Sequence, residues 1–316
     1  MRKTLKTVSI LALMIAGSAV AKKADFALLS FANLANSKYF ETYQSRFIEF
    51  HADPSQARYR FLIQGGLHPN EKTPTTFVNW LASRYKSGDS PLNALGENVA
   101  IDFVPVANPD GLAAQSRYNA KGVNLNRNFP VLWGLSKENP GSRPFSEPET
   151  RSIRKLFEAN DYTAAVDVHG YVNWIVGPTS PERLASNGIK TSRFMHQVHE
   201  QWTKHLIKET EELGQYVYKT AGELGDGGAF EDWAFWEQKT LSFCLEIDSP
   251  FRYQNRSIKL FNSYKVSKRT DKFEVYEKFI TKMFAHAIKI KSLRSQQFNL
   301  VRKSPASTMP TSKPVH

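Results

Sequence analysis

From Tyr162 to Val168 the chain is almost continuously apolar, and the next residue is His169. A strand of this kind does not alternate between core and water. Both of its faces are buried, which in a globular chain calls for a parallel sheet with helices packed on each side. Other segments repeat the pattern. Arg60-Phe61-Leu62-Ile63-Gln64 reads as a strand ending in Gly65-Gly66. Asn98–Ala107, with Val99, Ile101 and Phe103 alternating, reads as another and ends in the turn Asn108-Pro109-Asp110-Gly111. Thr240–Ile247 is a further apolar strand. Helical spacing separates them: Phe77, Trp80, Leu81 and Tyr85 within Thr75–Lys86, the long Ser192–Leu213 segment, and Phe279, Met283, Ala287 and Ile290 within Lys272–Lys291. Ser146-Glu147-Pro148-Glu149 opens one more helix, running to about Ala159, with Ser146 as N-cap and Glu149 closing a capping box. Strands alternating with helices predict an α/β fold with a largely parallel central sheet.

A chain of 316 residues with 41% hydrophobic content can bury a sizeable core, and no repeat or linker divides its middle. Residues 22–300 are therefore expected to form one catalytic domain. The start resembles a secretory signal peptide over residues 1–21. Arg2, Lys3 and Lys6 precede an apolar stretch from Val8 to Val20, too short for a comfortable membrane span, and Ala19-Val20-Ala21 offers a cleavage site. Export to the periplasm or medium of a bacterium is the expectation. The end, residues 301–316, is rich in Ser, Pro, Thr and Lys and is expected to be a disordered basic tail. The single cysteine, Cys244, excludes an intrachain disulfide and reads as a small buried hydrophobe in its strand. A net charge of +12 suits an anionic surface such as a cell wall. No nucleic-acid motif accompanies it, so no nucleic acid partner is expected. Nothing fixes the oligomeric state.

Polar residues gather at the ends of these strands. His68 and Glu71, three apart beyond the first strand, point the same way in a turn or first helical turn. His169 closes a second strand, and strand C-termini of an open α/β sheet converge on one edge. A catalytic zinc takes three protein ligands and keeps a fourth position for water, so His68, Glu71 and His169 make a candidate set for one Zn²⁺ per chain. Glu246 lies in the apolar strand around Leu245-Glu246-Ile247, where a carboxylate is costly unless it is paired or used. It is the candidate general base for zinc-activated water, with Asp248 as the rival. Arg117 can stabilise an oxyanion. Asn126 and Arg127 can hold a substrate carboxylate, provided that they sit in a loop, as the density of Asn119, Gly122, Asn124, Asn126 and Asn128 suggests. His196, His199 and His205 read as a solvated helix face, and Arg143 and Arg151 as surface.

These motifs, over roughly Phe61 to Asp248, resemble a zinc metallocarboxypeptidase of the carboxypeptidase A superfamily. The similarity is greatest to the bacterial branch that includes murein tripeptide amidase. It rests on Asn108-Pro109-Asp110-Gly111, Arg117, Leu125-Asn126-Arg127-Asn128-Phe129-Pro130, Ser146-Glu147-Pro148-Glu149-Thr150 and the stretch Gly228–Trp233. The resemblance implies a mixed sheet of about eight strands flanked by helices. It implies zinc on His68, Glu71 and His169, Arg117 as the carbonyl-polarising arginine, Asn126 and Arg127 as the terminal-carboxylate clamp, and Glu246 as base. Where the family often has an Asp that orients a zinc histidine, this chain has Asn124, whose carbonyl can still accept the imidazole proton. The stretch Ala221–Gly228 lacks the mobile Tyr of digestive members, and Glu231 and Asp232 bring acid to the specificity wall, where Glu231 can pair with a cationic substrate group.

The leading expectation is an exported carboxypeptidase acting on peptide substrates, with diaminopimelate-containing peptidoglycan stem peptides foremost. A scavenging peptidase of broad specificity, a non-catalytic cell-wall binding protein on the same fold and a deacylase of the aspartoacylase branch are the alternatives. The intact set of His68, Glu71, His169, Arg117 and Glu246 disfavours the non-catalytic reading.

Overall fold

Eight strands form one sheet in the order β1-β2-β4-β3-β5-β8-β6-β7. The computed structural model describes residues 25–28, 46–51, 57–214, 216–247 and 273–303, with side chains described from 57 onward and as far as 292. The strands are β1 (Asp25–Leu28), β2 (Arg46–His51), β3 (Tyr59–Gly65), β4 (Val99–Val106), β5 (Tyr162–His169), β6 (Trp174–Gly177), β7 (Val217–Thr220) and β8 (Leu241–Glu246). β4, β3, β5 and β8 run parallel to one another, and β6 pairs in parallel with β7. The joins β1–β2, β2–β4 and β6–β8 are antiparallel. The sheet is therefore mixed around a parallel centre, and every residue of β4 and β5 is buried. From β3 the chain steps to β4 on one side and afterwards to β5 on the other. That reversal opens a crevice at the strand C-termini, where α/β sheets bind ligands.

The helices are α1 (Lys72–Ser87), α2 (Pro109–Ala114), α3 (Pro148–Ala159), α4 (Pro181–Ser186), α5 (Arg193–Glu212), α6 (Ala221–Leu224), α7 (Phe230–Trp236) and α8 (Phe273–Lys303). Strand alternation divides them into two layers. On β8, Ser242 Oγ donates to the carbonyl of Glu231 on α7 (2.6 Å), whereas Phe243 meets Trp202 of α5 and Phe279 of α8. The α8 side is sealed by Phe284 stacked on Phe61 at 4.2 Å and by Phe273 edge-on to Phe77 of α1. On the other side Trp233 of α7 packs between Phe157 of α3 and Phe129, with ring centroids at 4.7 and 5.2 Å. No helix among the described residues is long and apolar enough to cross a membrane.

Several local expectations shift. Asn108 does not merely start a turn: its side chain accepts Gly111 N (2.9 Å) and caps α2. α3 begins at Pro148 with Glu147 as N-cap and no side-chain cap bond. Ser146 is unavailable for capping because it binds Asn128 Nδ2 (2.9 Å) and donates to Glu147 Oε1 (2.8 Å). α8 continues through Lys303, past the tail boundary expected at 301. The leader-like segment, Asp248 and residues 304–316 lie outside the described residues. Cys244 is buried and has no disulfide partner.

Candidate active site

β3 stops at Gly65, and Gly66, at φ +75°, turns the chain off the sheet towards His68. A Cβ at Gly66 would lie 3.0 Å from Thr75 Oγ1 and 3.1 Å from Pro105 O, so conformation and space both select glycine there. Glu71 N then donates to His68 O (2.9 Å), which closes a turn just before α1 and holds the two side chains together. His169 ends β5 and Glu246 ends β8, and the parallel register sets them side by side. Local turn chemistry thus supplies one pair, and sheet register supplies the other.

Ligand atoms of His68, Glu71 and His169 lie within 4.8 Å of one another, and all three residues are buried. The surrounding hydrogen bonds identify the atoms. His68 Nε2 is 2.8 Å from Asn124 Oδ1, and His169 Nε2 is 2.7 Å from Asp167 Oδ2. Those oxygens only accept, so each neutral ring carries its proton on Nε2 and keeps a lone pair on Nδ1. Both Nδ1 atoms face Glu71, His68 at 3.3 Å from Oε1 and His169 at 3.3 Å from Oε2. Two imidazole nitrogens and a carboxylate, each ring backed by an acceptor, form a donor set that fits zinc.

Charge follows burial and neighbours. Burial, then Arg117, lowers the His68 pKa to about 4, so this ring is a neutral ligand at pH 7. Burial works against a charged His169, but Asp167 and Glu71 outweigh it and hold the pKa well above the ordinary value. Burial also opposes ionisation of Glu71, and the two histidines overcome it and lower its pKa. For Glu246 the help of His169 and Arg117 is outweighed. Burial, then the Glu71 charge, pushes it up to about 8, and its Oε2 is shut off from solvent with no partner among the described residues.

Arg117 Nη1 lies 3.0 Å from Glu71 Oε1 and 3.0 Å from His68 Nδ1, so its guanidinium fronts the ligand set. Asn126 and Arg127 stand in a short 3-10 turn, Leu125–Arg127, capped by Asn124 Oδ1 accepting Asn126 N (3.0 Å). Asn126 Oδ1 accepts Phe230 N (2.8 Å), which docks this turn on the start of α7. Gly228 fits the same junction: a Cβ there would lie 2.2 Å from Arg127 O. Arg127 already has partners. Nε donates to Ser136 Oγ (3.2 Å), Nη1 to Asn126 O (2.7 Å), and Nη2 pairs with Asp226. The expected carboxylate clamp therefore carries an internal carboxylate. Glu231 is 2% exposed on α7 and its Oε2 has no partner among the described residues. Burial, then Asp232, raises its pKa well above the usual range.

Sequence reading singled out Asp167-Val168-His169 but gave Asp167 no role of its own, and it passed over Glu138 and Asp226. Asp167 was detectable, since it lies two residues before His169 on the same strand face. Glu138 and Asp226 reach the site from loops and carry no periodic signal. Two histidines correct the reading of a solvated helix face. His199 is buried, stacked on Trp236 and bonded through Nε2 to Pro178 O (3.1 Å), and His205 is half-buried against His286 at 3.5 Å. His196 is exposed.

Residues 35–262 match the family model for zinc carboxypeptidases, Peptidase_M14, and the chain belongs to that family. Carboxypeptidase SOL1 of Arabidopsis thaliana is 29% identical over 203 residues, 58% of this chain and 40% of that protein. Murein peptide amidase A of Escherichia coli K12 is 27% identical over 146 residues, 41% of this chain and 56% of that protein. The chain thus spans between 40% and 56% of the length of these relatives. Carboxypeptidase A from Helicoverpa armigera shares the fold, with a TM-score of 0.61 at 20% identity over 84% of this chain and 69% of that one. An "Inactive metallocarboxypeptidase ECM14" of Ajellomyces capsulatus is 25% identical over 160 residues, 41% of this chain and 26% of that protein, so catalysis must be read from the site itself. Zinc, one per chain, is the metal of the family, and His68, Glu71 and His169 are the residues that fit it.

Proposed function

We propose that this protein is an exported zinc carboxypeptidase that hydrolyses the peptide bond next to a C-terminal residue in diaminopimelate-containing peptidoglycan stem peptides. The observation that carries the reading is the placement of Glu246. It is a half-buried carboxylate beside His169, its Oε2 closed off from solvent with no partner among the described residues, at the edge of a complete ligand set fronted by Arg117. Zinc, when bound, supplies a Lewis acid that polarises a carbonyl and acidifies water. Glu246 accepts a proton from the attacking water and returns it to the leaving amine. Arg117 offers donors to the developing oxyanion. Asn126 and Arg127 orient the terminal carboxylate, which competes with Asp226 for the guanidinium.

Glu231 supports the substrate class. A buried carboxyl whose Oε2 has no partner among the described residues becomes a charge-assisted acceptor when an ammonium group reaches it. Diaminopimelate carries such a group. The leader-like start, the basic composition and the likeness to a murein peptide amidase point the same way. The same carboxyl would also favour peptides ending in Lys or Arg, which is the reading of a scavenging peptidase.

The test is digestion of purified muropeptides by the zinc-loaded protein, read by mass spectrometry with Glu246→Gln as control. Loss of a terminal residue, or cleavage beside diaminopimelate, that disappears in the variant is the expected result. Intact muropeptides together with trimming of Lys- and Arg-terminated peptides would replace the wall substrate with a scavenging role.

A further inference from the structure

We infer that Glu138 is a positioning residue for the metal site: through the Asn124 carboxamide it keeps the His68 lone pair on Nδ1, the nitrogen turned towards the ligand set. The inference rests on the zinc site described above and not on the choice of substrate.

Glu138 lies on the loop after Asn128, with its side chain 30% exposed. Its Oε2 accepts Asn124 Nδ2 at 2.6 Å and Arg117 Nε at 3.2 Å, and Oε1 lies 3.4 Å from Arg117 Nη2 and 3.8 Å from Arg127 Nη2. A carboxylate held by two arginines can only accept, so it requires the amide nitrogen of Asn124. The amide oxygen must then face the other way, where it meets His68 Nε2 at 2.8 Å and Asn126 N at 3.0 Å. Because that oxygen only accepts, His68 keeps its proton on Nε2 and its lone pair on Nδ1, the atom turned towards Glu71. A flipped amide would donate to Nε2 and drive the proton onto Nδ1, which blocks the ligand position. Two contacts oppose the flip, the Asn126 N–H and the Glu138 carboxylate, and the charged one is the stronger. The charge absent at position 124 is thus supplied one bond further out, in the chain Glu138–Asn124–His68.

A double-mutant cycle in the full-length protein tests this, read as Zn²⁺ affinity by chelator competition and as the visible absorption of the Co²⁺ form. Glu138→Gln lets the amide turn and is expected to weaken Zn²⁺ binding about tenfold or more. Asn124→Asp in the parent sets two carboxylates against each other and brings no gain. Added to Glu138→Gln, it restores affinity to within about threefold of the parent and returns the Co²⁺ spectrum, because an aspartate needs no orientation and the carboxamide introduced by Glu138→Gln can donate to it. Parental affinity in Glu138→Gln, or no restoration by Asn124→Asp, would overturn the inference. A lower metal-free melting temperature that accounts for the loss in Glu138→Gln would also overturn it, since Glu138 would then serve the fold. A parent that cleaves no peptide while the cycle holds would remove the substrate reading alone.

Discussion

Asp167→Asn takes one charge out of a place that water does not reach. Asp167 is 0% exposed, and its Oδ2 stands 2.7 Å from His169 Nε2. A hydrogen bond with a charged partner contributes about 1.5–3 kcal/mol in such surroundings. The asparagine oxygen can still accept the Nε2 proton, so orientation survives and the electrostatic part is lost. That part governs how strongly Nδ1 donates, and its loss amounts to roughly a 10–100-fold weaker Zn²⁺ affinity. The metal-free fold responds differently. Burial already pushes the Asp167 carboxyl above its ordinary pKa, so removing that charge also removes a desolvation cost. Against that gain stands the loss of the carboxylate that holds the His169 pKa up, so the two effects offset and the metal-free melting temperature should change far less than the affinity does. Chelator competition and thermal melts with and without zinc separate the two quantities. Affinity within twofold of the parent, or a fall in metal-free stability without a change in affinity, would refute the assignment of Asp167 to His169.

Glu246→Gln should lower kcat by roughly 10²–10⁴-fold while Zn²⁺ affinity is retained, measured on whichever peptide the parent cleaves. Trp233→Ala removes a ring packed against Phe129, Phe145 and Phe157 and should cost about 3–5 kcal/mol in urea denaturation; less than about 1 kcal/mol would show that the α7 layer is not a principal support. The pH dependence of the metal-free protein follows from Glu246 and His169, whose pKa values are raised in the folded state. Each contributes stability that is complete below its unfolded pKa and is lost as pH rises through the folded one. His68, lowered to about 4, acts in the opposite sense only below its unfolded value of 6.5. Between pH 6.5 and 8 the metal-free melting temperature should therefore fall. Zinc loading should flatten that slope, because metal binding displaces the same protons; parallel slopes in the two forms would contradict the assignment.

The pairing of Arg127 with Asp226 bears on how substrate enters. Arg127 is not a bare cation waiting in the crevice, and under the proposed function a terminal carboxylate would have to displace Asp226 from it. Asp226→Asn is expected to lower KM for peptides with a free C-terminal carboxylate by several-fold and to leave kcat nearly unchanged, since the interaction released is made equally in ground and transition states.

Sequence alone determined the four parallel central strands β3, β4, β5 and β8, because a run such as Tyr162–Val168 has too little polarity for any surface position and must be enclosed; the outer strands β1, β2, β6 and β7 were not read from it. It also located His68, Glu71, His169 and Glu246, because each follows or ends such a run and strand C-termini share one edge. Turn chemistry was partly legible: the helix expected over Ser192–Leu213 does start there, with Ser192 as its cap, whereas Ser146, expected to cap α3, is drawn away by Asn128. Tertiary structure decided what depends on contacts between distant loops. The Asp226 partner of Arg127 is 99 residues away, and the Glu138 bond to Asn124 crosses a loop with no periodicity. It decided the states of the histidines as well. His199 and His205 sit on a helix whose sequence reads as solvated, and only the packing of α7 and α8 against α5 buries them. Periodicity records which face of an element is covered. The atom that a buried charge meets is set by loops brought together only when the sheet has formed, and for His68 those loops assign its proton.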